Sequence, residues 1–178
     1  QDTDSMHLKT EDVPKLEKKF KEIYDRDLNG KNMGQFHTDF ESKVLKGEIY
    51  SKCFIALGKK CYLDVLTDDT GKEDYHIRMK GVSGDSVKYH ADKDYDDIKH
   101  LYDRLHKGDA IPFDLCCNNQ KVCFEKNSDF TIKSKDSFWR VICFDDDSES
   151  KKEKIKGIQE ALKKKKLLKK NPMLNLKK

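Results

Sequence analysis

The apolar residues of this chain change their period near Asn29-Gly30, and that change limits the folds open to it. Before that point Leu16, Phe20, Ile23 and Tyr24 recur at helical spacing, which predicts one helix with a core-facing stripe. Thr10 or Asp12 caps this helix, Pro14 suits its first turn, and Asn29-Gly30 stops it. After it the period is two. Phe36, Thr38 and Phe40 alternate with polar neighbours, and residues 50–57 and 60–66 are further strand candidates around Gly58. The turn signal Thr67-Asp68-Asp69-Thr70-Gly71 leads into another strand at 75–80, which breaks at Gly81. Residues 2–9 also read as strand, with Met6 and Leu8 alternating against His7 and Lys9. A helix followed by an antiparallel meander makes an α+β fold.

Beyond Gly81 a second region begins. Ser83 or Asp85 caps a short helix, and a clearer one over about 95–107 carries Ile98, Leu101, Tyr102 and Leu105 on one face, ending at Gly108. Short strands are predicted at 111–115, 121–125, 130–133 and 138–144. The acidic run Asp145-Asp146-Asp147 then closes the folded part. Residues 151–178 hold twelve lysines against two glutamates, about +10 where the whole chain is +4, so residues 1–150 are net acidic at about −6. A frayed solvated helix or disorder, a nuclear-import signal and a DNA-grasping arm are all open to that tail. The expected divisions are 1–74, 75–147 and 148–178.

Six cysteines, at 53, 61, 116, 117, 123 and 143, form no CxxC pair and no regular disulfide spacing. Free thiols in a reducing, intracellular compartment are expected, with nucleus, cytoplasmic viral factory and organelle all open; a secreted module is disfavoured. Cys116 or Cys117, Cys123 and Cys143 offer a zinc alternative to small buried hydrophobes. No run of about twenty apolar residues is present, so no membrane partner is expected. The histidines show no metal spacing and are expected at the surface. Neither GxxxxGK[ST] nor GxSxG occurs, which argues against a P-loop and a hydrolase triad.

The residue types best suited to chemistry open the chain. Asp2 and Asp4, at i and i+2 in Asp-Thr-Asp-Ser, point to one face of a strand, about 7 Å apart along its axis. At an effective dielectric near 20, two like charges 4 Å apart repel by about 4 kcal/mol, and a divalent cation turns that repulsion into attraction. Bare, the same four residues also make an ordinary turn. Asp-Thr-Asp-Ser followed by the apolar strand Met6-His7-Leu8 resembles motif C of protein-primed, family B DNA polymerases, with Gln1 at the variable position. Gly58-Lys59-Lys60-Cys61-Tyr62 resembles the family's Lys-x-Tyr element, with Lys60 and Tyr62 expected on one face of a strand and Cys61 opposite. His76-Ile77-Arg78-Met79-Lys80-Gly81-Val82-Ser83 resembles the segment that leaves the palm for the thumb, and Asp129-Phe130-Thr131-Ile132-Lys133 loosely resembles closing thumb strands.

The resemblance covers about residues 1–144. It implies the end of an antiparallel palm sheet with a packed helix, then a small α/β thumb and a basic tail. The implied activity is DNA-directed nucleotidyl transfer with two Mg2+ ions, Asp4 as the direct metal ligand and Asp2 as its neighbour. Lys60 and Tyr62 would hold the primer terminus. Partners would be primer-template DNA, deoxynucleoside triphosphates and a terminal protein primer. The family's further aspartate and its nucleotide-gripping lysine helix do not occur in these residues, so a piece of a longer chain, inactive alone, is expected. The alternative is a catalytically inactive DNA-binding remnant of a viral or mobile-element polymerase.

Overall fold

The computed structural model describes residues 5–117, 122–135 and 137–170. Among them the chain is mixed α+β, with small antiparallel sheets and four α-helices. A short 3-10 turn precedes α1 (Val13–Tyr24), and β1 (Tyr50–Gly58), β2 (Cys61–Thr67) and β3 (Glu73–Met79) form a three-stranded sheet in that order. Then come α2 (Gly84–Asp94), α3 (Ile98–His106), β4 (Ile111–Asp114), β5 (Cys123–Lys126), β6 (Ile132–Lys135), β7 (Trp139–Ile142) and α4 (Ser148–Lys170). The chain divides into two compact units, one of Gln1–Lys52 with Leu66–Asp74 and one of Cys53–Val65 with Tyr75–Lys178.

In the first unit α1 ends at Asp25, whose left-handed φ of 51° and N–H to the Lys21 carbonyl close the helix. The stop thus comes before Asn29-Gly30. The apolar stripe forms as spaced but is not core: Leu16, Ile23 and Tyr24 are exposed, and α1 buries no residue. Helical spacing decides which side chains share a face, not whether another element covers that face. Phe36, Thr38 and Phe40 likewise make no strand. Phe36 alone bridges to Asn29, and residues 37–42 find no partner strand to hydrogen-bond. Residues 6–9, expected as strand, are irregular.

The β2–β3 loop of this unit is held by one buried carboxylate. Asp68 accepts hydrogen bonds from the Thr70 N–H at 2.9 Å, the Thr70 hydroxyl at 2.6 Å and the Lys46 N–H at 2.9 Å. The Thr70 hydroxyl, followed by the Lys46 N–H, lowers its pKa to about 2. Because the folded pKa lies below the ordinary carboxylate value of 3.8, the stabilisation is complete above that value and is lost as pH falls through about 2. Asp68→Ala is expected to lower the Tm at pH 7 by roughly 5 °C and to flatten the acid limb of a Tm-against-pH curve between about pH 4 and 2.

The second unit holds the main core. Cys61, Leu63 and Val65 from β2 and Ile77 and Met79 from β3 pack with Val87 and Ala91 of α2, Ile98, Leu101, Tyr102 and Leu105 of α3, and Ile111 and Phe113 of β4. Every residue of β2 is buried, as befits a central strand covered on both faces. Ser83 caps α2 by accepting the Ser86 N–H at 3.2 Å, and α3 begins at Ile98, later than the expected Tyr95, because Tyr95 still donates its N–H to Ala91 at the end of α2. β4 pairs with β7, Ile111 opposite Ile142 and Phe113 opposite Arg140. β5 and β6 make a separate antiparallel hairpin with Phe124 and Ile132 exposed.

Candidate nucleic-acid interface

Cationic side chains gather at one end of the three-stranded sheet, and local backbone geometry explains why. Only two residues, Lys59 and Lys60, join β1 to β2, so the chain must reverse within them; Lys60 takes a left-handed φ of 58° to do so. Because β3 runs antiparallel to β2, its end returns to the start of β2, and the Lys80 N–H donates to Cys61 Sγ at 3.4 Å. Gly81 follows with φ 77°, and the Arg140 guanidinium from β7 lies against it, in the space a Cβ would fill. Lys59, Lys60, Lys80 and Arg140 are exposed, and none has an ion-pair partner among the described residues.

Four uncompensated cations within one end of a sheet suit a polyanion, since each phosphate contacted releases condensed counterions. Gly81→Ala tests the Arg140 contact. It is expected to cost about 1–2 kcal/mol for the left-handed backbone, plus the displacement of the guanidinium. Gly71, at φ 76° with open space around it, gives the backbone part alone, so urea melts of Gly81→Ala and Gly71→Ala should differ by the Arg140 contribution.

The residues expected to act are distributed as follows. Asp2 and Asp4 lie outside the described residues. Lys60 sits in the turn rather than in the strand, so it does not share a strand face with Tyr62. Tyr62 is the second residue of β2 and is only 8% exposed, its ring flanked by Phe54 at 5.6 Å and His76 at 6.3 Å between centroids. Among the described residues no three His, Cys, Asp or Glu side chains converge on a metal-sized site. Likewise no helix among them is long and apolar enough to cross a membrane. No protein family, curated protein or solved structure matches this chain.

A buried polar cluster was not foreseen. His90, expected at the surface, is 3% exposed. The Asp114 N–H donates to its Nε2 at 2.9 Å, which leaves the proton on Nδ1, facing Asp94 Oδ2 at 3.2 Å. Both ring nitrogens are therefore engaged and the ring lies edge-on to Phe113, so His90 ties α2 to β4 and has no lone pair left for a substrate. Its only sequence signal is the i, i+4 spacing to Asp94. Arg140 had no local signal at all. In the first unit, a shallow recess beside α1 is lined by Glu17, Lys21, Asp27 and Asn29, whose polar groups already bond one another.

Proposed function

We propose that this chain is the C-terminal part of a protein-primed, family B DNA polymerase, with the end of the palm in residues 1–74, the thumb in 75–147 and a basic tail after it. The observation that supports this reading is the exposed set Lys59, Lys60, Lys80 and Arg140, which has no ion-pair partner among the described residues. Three of the four, Lys59, Lys60 and Lys80, belong to the segments whose sequence resembles the family's primer-holding and thumb-entry elements. In this reading they grip the phosphates of the primer-template, and Tyr62 sets the strand behind them through its contacts with Phe54 and His76. Asp2 and Asp4 would hold magnesium, whose charge assists transfer of the nucleotidyl group to the primer 3′-hydroxyl.

The test is primer extension by the longer protein that contains this chain, given deoxynucleoside triphosphates and Mg2+. Template-directed incorporation is expected, with Lys60→Ala raising KM for primer-template roughly tenfold and leaving kcat nearly unchanged. Duplex binding without any incorporation would instead favour the inactive remnant. An upstream sequence lacking Asp-x-x-Ser-Leu-Tyr-Pro and the lysine helix would sink the enzyme reading.

A further inference from the structure

The lysine-rich segment, to which the polymerase reading gives no task, is a helix fastened at its base. Asp147 Oδ1 accepts the N–H groups of Glu149 at 2.9 Å and Ser150 at 3.1 Å, capping α4. Two residues earlier, Asp145 Oδ2 receives Lys154 Nζ at 2.6 Å and the Ser150 hydroxyl at 2.7 Å, and Lys154 also donates to the Gly108 carbonyl at 2.9 Å. Lys154 first, then Ser150, lowers the Asp145 pKa to about 2, so the clamp stays charged at neutral pH. Along the helix Ile155, Ile158 and Leu162 are half-buried at i, i+3 and i+7, and α4 lies against β7. Lys156 and Lys163 to Lys166 are exposed, with no acidic partner among the described residues.

A flexible lysine tail would scatter these charges; a clamped helix aims them. From Lys156 to Lys166 the helix rises about 15 Å, a length over which duplex nucleic acid offers about nine phosphates. Four successive lysines, each turned 100° from the last, spread their charge around the helix, so about two or three of them reach any one duplex. Cations so closely spaced suit the closely spaced phosphates of a backbone better than a few discrete carboxylates. The apolar stripe of α4 is half-covered by the body of the protein, which leaves little to insert into a lipid surface. We infer that α4 is a fixed arm gripping the phosphate backbone of double-stranded DNA, with Lys156 and Lys163 to Lys166 as contacts and Asp145 as the positioning residue. The choice of DNA rests on the polymerase reading; the helix, the clamp and the free cations do not.

The experiment is fluorescence anisotropy of the full chain with a labelled 20-base-pair duplex at salt concentrations from about 50 to 200 mM. Changing Lys163, Lys164, Lys165 and Lys166 together to Gln is expected to weaken binding at least tenfold at the lowest salt. The slope of log affinity against log salt should become shallower by roughly 2–3, since each phosphate contact contributes about 0.9. Asp145→Asn keeps every contacting lysine, so the slope should hold while affinity falls several-fold. An unchanged slope in the quadruple variant, with binding retained, overturns the arm and leaves the contacts at Lys59, Lys60, Lys80 and Arg140. Equal affinity for vesicles containing 30% phosphatidylserine overturns DNA as the occupant. Absence of any duplex binding by the unaltered chain also overturns the arm, while the polymerase reading is still decided separately by primer extension.

Discussion

Replacing Tyr102 by alanine is expected to destabilise the second unit by about 3–5 kcal/mol, close to the whole stability of many domains. Tyr102 is completely buried on α3, and its hydroxyl reaches the carbonyls of Tyr62 on β2 and Arg78 on β3, each at 3.2 Å. The residue thus joins a helix to two neighbouring strands through one proton shared between two acceptors. Alanine removes the ring and leaves a cavity. Phenylalanine keeps the ring and loses only the hydrogen bond, so Tyr102→Phe should cost about 1–2 kcal/mol in urea melts. If the two variants were equally destabilised, packing of the ring would have no weight. Burial also holds this phenol well above its ordinary pKa of 10.0. The folded state therefore resists ionisation, and stability present below pH 10 is lost as pH rises beyond it.

His90→Ala should cost roughly 3 kcal/mol, a sum of a lost ring against Phe113 and a deserted Asp114 N–H. His90→Phe separates the two. It restores an aromatic ring of similar shape but accepts no proton, so a residual loss of about 1–3 kcal/mol measures the unsatisfied backbone donor. A His90→Phe variant as stable as the parent would show that the hydrogen bond from Asp114 is without weight. Near-ultraviolet circular dichroism of the single tryptophan, Trp139, gives a second readout, because its ring lies 5.8 Å from that of His90.

What the sequence made legible was local. The stripe Ile98, Leu101, Tyr102 and Leu105 lies in the core as spaced, and the strand candidates after Gly108 each overlap a strand, with ends that differ by up to two residues. The Asp68 turn was visible because Thr70 and Gly71 sit beside it in the chain. The misses needed information from far away. Nothing around Leu16 says whether another element covers it, and nothing around His90 announces an N–H from Asp114, 24 residues on. Alternation at Phe36, Thr38 and Phe40 had no strand to pair with. At the candidate interface Lys60 and Gly81 were marked by motif, although the two-residue turn moved Lys60 off the strand. Arg140 reaches Gly81 only because β7 pairs with β4, a register that no short window of sequence contains.

The burial of the thiols gives this protein a set of internal clocks. Cys53 is exposed on β1, whereas Cys61, Cys117 and Cys143 are buried at three separate places. Cys61 lies under the Lys80 amide at the sheet end, Cys117 beside the Ser86 hydroxyl of α2, and Cys143 against the Gly108 carbonyl that Lys154 also holds. An alkylating reagent meets Cys53 at once and each of the others only when its own surroundings open. Mass spectrometry of the modified peptides over time would therefore rank the sheet end, the α2–β4 junction and the foot of α4 by how often each comes apart, without a single substitution.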